Sequence, residues 1–460
     1  MRTISTIISS AALAAALVAC GGSPKGGTTP DGKSTGVPPP PDVRAAAATP
    51  GKDAPKREVS KEAKSDFQSA QASFDQIDKA NGWNESACRS SADKFQSVVR
   101  AHPELLEAQY MVGLSFQRCT LDADAEKAYQ AAAKGQGIYA ARALSNLGEI
   151  YFRAGKVDGA KQYWDSAVKA SPKLVAAHNN LASLEIDQMR RVGEKSPEWV
   201  KLETDAKYQL SSALGVNTDS VKAYTLYGLL YMEGWQKNKN RLDLAKLLLD
   251  EAKKRNEKFA PLQNAYGLYY MHRNAQSEAL QHFMSAVEAD PKFVEARMNV
   301  GLTTVNFRKY DTAKDQFSKV IELQPKAYDA YIGLGLAQRG LGDMDGAEAT
   351  YKKAIGIDGK KGDAYYNLGV LYKDFKANKQ ADLKGSQGIY KQARDFFKTF
   401  LDKDGDADDK AEAKNNITDC DKLIAQIDQF IQNQANQPPP PAAPPAGAPA
   451  APAAPAPAGK

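Results

Sequence analysis

From Ala260 to Pro291 the chain reads APLQNAYGLYYMHRNAQSEALQHFMSAVEADP, and from Val294 to Pro325, thirty-four residues later, it reads VEARMNVGLTTVNFRKYDTAKDQFSKVIELQP. Gly267, Ala279, Phe283 and Pro291 of the first stretch return as Gly301, Ala313, Phe317 and Pro325 in the second. Shifted once more, the pattern is Gly335, Ala347, Tyr351 and Ala354, with Gly359 where proline stood. Apolar residues three and four apart make each half of the unit an amphipathic helix. Proline closes the second helix, since it can neither donate the next ladder hydrogen bond nor continue the turn. Gly in the first helix and Ala in the second let the pair approach closely, and the aromatic residue fills the space beside them. A unit of this size cannot bury its apolar face alone and must stack on its own copies.

Working outward, Leu147-Gly148, Tyr151, Ala160, Trp164, Ala167 and Pro172 fit the same template. Length, helix-turn-helix pattern and signature residues together resemble the tetratricopeptide-repeat (TPR) family. The resemblance implies an all-α fold, a right-handed TPR superhelix of about nine repeats spanning 61–434. The first unit, near Ser60 to Pro103, is degenerate; later ones begin near Leu106, Ala141, Val175, Val221, Ala260, Val294, Tyr328 and Gly362. A last helix from about Asp408 to Asn433 carries Ile417, Leu423, Ile424, Ile427 and Ile431 and caps the stack. Three units exceed the period. Ala182 to Ala206 and Gly369 to Ala393 each span 24 positions where 12 are expected, and Gly228 to Ala245 is five too long. The extra residues fall at the turn inside the unit, where they either lengthen helices or make loops.

Both ends read differently. A single charge, Arg2, precedes an apolar run from Ile7 to Val18, too short to span a bilayer comfortably, so residues 1–19 read as a signal peptide. The run ends Leu17-Val18-Ala19-Cys20-Gly21, which resembles a bacterial lipobox. That resemblance implies cleavage before Cys20 and a lipidated, palmitate-bearing cysteine, with Gly21 favouring the outer membrane. Multiple acyl chains give durable attachment where one does not. Residues 20–60 are Gly, Pro, Thr, Ala and Lys and predict a flexible tether with a mean span of roughly 35 Å. Residues 435–460 are rich in Pro and Ala and predict a disordered, polyproline-like tail. It reads either as a spacer or as a docking peptide.

Composition argues against several functions. The 61 basic and 55 acidic residues nearly cancel, and no long basic run offers a nucleic-acid footprint. None of the four cysteines lies in a C-x-x-C pair, and the four histidines are scattered. No zinc, nucleophile-elbow or phosphate-loop motif is present. Asp402 to Asp409 resembles a calcium loop but has Ala413 where the closing glutamate belongs, so it reads as a solvated acidic turn. Enzyme activity, cofactor, metal and small-molecule substrate are therefore not expected. The carboxylate clamp of TPR co-chaperones is also missing: its positions hold Ser145 and Glu149, Thr225 and Leu229, Asn264 and Leu268, Met298 and Leu302.

Family resemblance instead marks positions five, nine and twelve of each first helix as a concave groove. In the later repeats these are Leu229, Met232, Leu268, Met271, Met298, Leu302, Val305, Ile332, Leu336, Tyr366 and Val370. Such a stripe predicts either an apolar groove for an amphipathic partner segment or a superhelix tight enough for these residues to touch each other. Cys88 lies 15 residues before Pro103 and Cys119 lies 16 after it, so antiparallel helices bring them level. They form either a disulfide, allowed in a secreted chain, or two buried thiols.

The function expected is a lipid-anchored scaffold on the periplasmic face of the outer membrane, binding envelope proteins through the groove. Among bacterial TPR lipoproteins it resembles the pilotins of pilus secretins and, more, the outer-membrane TPR lipoprotein of the myxobacterial gliding-motility complex. A periplasmic holdase and an adaptor subunit of an envelope enzyme are the other readings.

Overall fold

The structure, a computed structural model, describes residues 59–436 apart from residue 195 and residues 404–406. The signal segment, Cys20, all of the tether but its last two residues, the centre of the acidic turn and the tail from residue 437 lie outside the described residues. The repeat block divides into two compact units, Met1–Asp358 and Gly359–Lys460.

Among the described residues of the first unit, sixteen helices follow one another as eight antiparallel pairs. These are α1 (Lys61–Lys79) with α2 (Glu85–Ala101), α3 (Leu106–Gln117) with α4 (Asp122–Ala133), and α5 (Ile138–Arg153) with α6 (Val157–Ala170). Next come α7 (Val175–Val192) with α8 (Pro197–Val216), α9 (Val221–Met232) with α10 (Asn240–Arg255), and α11 (Ala260–His272) with α12 (Gln276–Ala289). The last two are α13 (Val294–Asn306) with α14 (Tyr310–Leu323) and α15 (Tyr328–Gly340) with α16 (Met344–Ile357). The fold class is the expected one, an all-α array of helix-turn-helix repeats.

One spacing builds these pairs. Gly113, Gly148, Gly267, Gly301 and Gly335 are each followed sixteen residues on by Tyr129, Trp164, Phe283, Phe317 and Tyr351. Each ring lies so close to its glycine that a Cβ there would overlap it, and all five rings are fully buried. The longer repeats keep the partnership at greater spacing: Leu249 packs on Gly228, and in the second unit Phe397 packs on Gly369. Dense packing of this kind tolerates almost no change of volume. At the turn inside the pair, Asn274, Arg308 and Gly342 recur every 34 residues with φ of 59°, 56° and 84°, the left-handed conformation that stops a helix.

Most of the inserted length became helix. Helices α7 and α8 have 18 and 20 residues against 13 and 14 for α13 and α14. In the fifth repeat the insertion mostly lengthens the turn between Met232 and Asn240.

Cys88 on α2 and Cys119 just after α3 are joined as a disulfide, their Cα atoms 6.2 Å apart. Beside it the Arg118 guanidinium pairs with Asp78 at 3.2 Å and lies 5.6 and 5.9 Å from the rings of Phe74 and Trp83. The degenerate first repeat is thus pinned to the second by a covalent bond and an aromatic clamp.

The second unit holds α17 (Asp363–Val370), which passes into a π-helical turn at Leu371–Lys376 and a 3-10 turn at Ala377–Lys379, then α18 (Leu383–Leu401) and α19 (Ala407–Ala435). The π turn absorbs part of the ninth repeat's insertion, a common use of such bulges. The expected cap is α19: Ala413, Cys420 and Ile424 are buried and Ile417, Leu423, Ile427 and Ile431 are half-buried. It is fastened to α18 by Gln387 Nε2 donating to Asp428 at 2.6 Å and by the Arg394–Asp421 ion pair at 3.2 Å.

Candidate functional site

In the first unit the face of the odd-numbered helices where a groove was expected changes chemistry midway. Its first half is polar. Gln117 Nε2 donates to Glu149 at 3.4 Å, Asn180 Nδ2 donates to the other Glu149 oxygen at 3.2 Å, and Lys222 Nζ donates to Asn180 Oδ1 at 3.1 Å. Asn146 Nδ2 and Tyr129 OH both donate to Gln117 Oε1, at 3.0 and 2.5 Å. The ladder descends diagonally through α3, α5, α7 and α9. Burial raises the Glu149 pKa, and the Lys222 ammonium opposes the rise. These side chains satisfy one another, as buried polar groups must.

From α9 onward the same face is mostly apolar, interrupted by the buried Thr225 and by Asn264, whose Oδ1 accepts from Asn299 Nδ2 at 2.8 Å, and here the groove expectation is corrected. Leu229, Met232, Leu268, Met298, Leu302, Val305, Ile332 and Leu336 are buried, and Met271 is half-buried. Leu229, Met232 and Leu268, with Met271 against them, belong to one core cluster; Met298, Leu302 and Val305 belong to another. Successive odd-numbered helices lie close enough that positions five, nine and twelve pack on their neighbours, so the stripe is core. In the second unit Tyr366 is spent likewise: its OH donates to Glu412 at 2.7 Å and its ring meets Phe397 and Phe400 edge-on, while Val370 is half-buried.

Three of the four histidines serve packing. His178 is buried, with Nδ1 2.6 Å from Gln209 Oε1 and Nε2 2.9 Å from the Pro172 carbonyl. His282 lies stacked between Tyr266 and Tyr270, and His272 packs on Trp235 with its pKa lowered to about 4, chiefly by burial. Among the described residues no group of three His, Cys, Asp or Glu side chains is placed to hold a metal ion.

The most exposed large apolar side chains described in the first unit lie on even-numbered helices instead. Val200 and Tyr208 on α8, Leu244 and Leu247 on α10, and Met284 on α12 are all exposed, Tyr208 by 65% and Leu247 by 58%. Tyr208 and Leu247 occupy the same repeat position, two residues after the helix alanines Ala206 and Ala245. Other repeats put Lys127, Gln162, Gln281, Asp315 and the small Ala349 there. Aligning that outward position across the repeats would have found this ridge in the sequence.

Residues 123–188 and 301–364 match the family model of the tetratricopeptide repeat. The first match runs from α4 into α7 and the second from within α13 to the start of α17. No curated protein matches the chain. Among solved structures, it is similar to YrrB, described as a TPR protein with an unusual peptide-binding site, at 22% identity over 44% of this chain and 96% of that one, TM-score 0.31. It is also similar to PilW, described as a widely conserved type IV pilus biogenesis factor, at 17% identity over 49% and 92%, TM-score 0.37. A tetratricopeptide repeat protein from Parabacteroides merdae matches at 18% identity over 62% and 98%, TM-score 0.35.

Proposed function

We propose that this chain is a protein-binding scaffold, held to the bacterial outer membrane by lipid on Cys20 and facing the periplasm, where it assembles or stabilises a multiprotein envelope machine. The observation that carries the binding role is the outer ridge of Val200, Tyr208, Leu244, Leu247 and Met284 on three consecutive even-numbered helices of a repeat array. Exposed large apolar side chains gathered on neighbouring repeats support an interaction surface there. The anchoring rests on the lipobox-like Leu17 to Gly21 alone. A machine of the gliding-motility or pilus kind is the finer reading.

Photo-crosslinking in cells tests the binding role. A photoreactive residue at position 208 or 247 should capture a few stoichiometric partners, while the same probe at 127 or 162, the equivalent position in earlier repeats, should not. Equal labelling at all four sites would remove the ridge from the account. Many substoichiometric products would favour the holdase reading. For the anchor, Cys20→Ala should release the chain from membranes, and a processed variant that stays bound would overturn it.

A further inference from the structure

In four repeats the eleventh position of the unit forms a joint with the helix that follows. Tyr151 meets Tyr163 at 4.9 Å between centroids, Tyr270 stacks on His282 at 5.2 Å, Tyr372 meets Phe396 at 5.2 Å, and Gln338 accepts from Thr350 at 2.7 Å. On α7 this position is Glu185, and at the answering position on α8 stands Gln209, whose Oε1 lies 2.6 Å from His178 Nδ1. Glu185 is 3% exposed, and its Oε2 is buried without a hydrogen-bond partner. A carboxylate so placed is costly, whereas a neutral carboxyl is tolerated.

We propose that Glu185 makes the packing of α7 against α6 and α8 a proton-dependent joint, closed while its carboxyl is neutral and loosened when it ionises. The charged groups acting on it are Lys161 and Asp165 on α6 and Asp205 on α8. Lys161 is the one cation among them and is already paired with Asp165 at 3.0 Å. Burial is the largest influence; Lys161 opposes it, Asp205 and Asp165 reinforce it, and the carboxyl is pushed up to about 8. In the open joint Glu185 returns to the ordinary glutamate range near ~4.3. The closed-state pKa is the raised one, so closure is strongest below about pH 4.3 and weakens as pH rises toward 8. Each opening then releases up to one proton, and the opening constant rises by up to ~tenfold per pH unit within that window.

Amide hydrogen exchange of the full chain, corrected for intrinsic base catalysis, reads this directly. Between pH 5.5 and 8.5, protection in peptides covering α7 should fall by up to ~tenfold per unit and level off above pH 8. It should be flat in Glu185→Gln, and peptides of α13 and α14 should show no such slope in either protein. A flat wild-type profile, or the same slope in Glu185→Gln, overturns the joint. Should Glu185→Gln fail to fold, Lys161→Met decides: with the cation gone the levelling point must move to higher pH, and an unmoved point overturns the proposal.

Discussion

Gly148 on α5 lies against the indole of Trp164 on α6, so close that no Cβ could stand between them, while the indole N–H donates to the carbonyl of Ser145 at 3.0 Å. The ring therefore fixes both the separation of the two helices and their register. The same arrangement returns through the array with Tyr129, Phe283, Phe317 and Tyr351.

Gly148→Ala should destabilise the fold by about 1–3 kcal/mol, because overpacking outweighs the ~1 kcal/mol gained in helix propensity. Gly215, also helical, has nothing within 4 Å of its missing Cβ. Gly215→Ala should accordingly stabilise by about 0.5–1 kcal/mol. Urea unfolding of the two variants checks the opposite signs.

The disulfide closes a sequence separation of 31 residues. Cys88→Ser with Cys119→Ser should cost roughly 3–4 kcal/mol on the chain-entropy model. The loss should appear as a lower thermal midpoint, insensitive to reductant in the variant and reproduced by reductant in the native chain.

Leu302 is buried in the core cluster with Met298, Val305 and Phe317. Leu302→Ala should cost about 2–5 kcal/mol. Leu302→Glu should abolish helicity around α13 by circular dichroism and hydrogen exchange; a fully folded Leu302→Glu chain would show that this face opens to solvent after all.

Lys222 both donates to Asn180 and opposes the rise in the Glu149 pKa. Lys222→Met should destabilise by about 1–2 kcal/mol through the broken ladder. It should also lift the Glu149 carboxyl further, and a group whose folded pKa is raised loses stability as pH rises. The variant should thus suffer more at pH 8 than at pH 5, measured by chemical unfolding at both.

How much of this was legible in the residues differs from site to site. The period, the sixteen-residue step from glycine to ring and the three insertions follow from the sequence, because a helix face is set by residue spacing alone. The level match of Cys88 and Cys119 followed in the same way. What spacing cannot give is the distance between one odd-numbered helix and the next, and that distance decided whether Leu229, Leu268 and Leu302 meet water or one another. Accessibility is a sum over neighbours remote in sequence, so the same stripe reads as groove or as core until those neighbours are in place. Glu185 makes the point for chemistry: its residue type was visible, but only the packing around α7 shows its Oε2 buried without a partner.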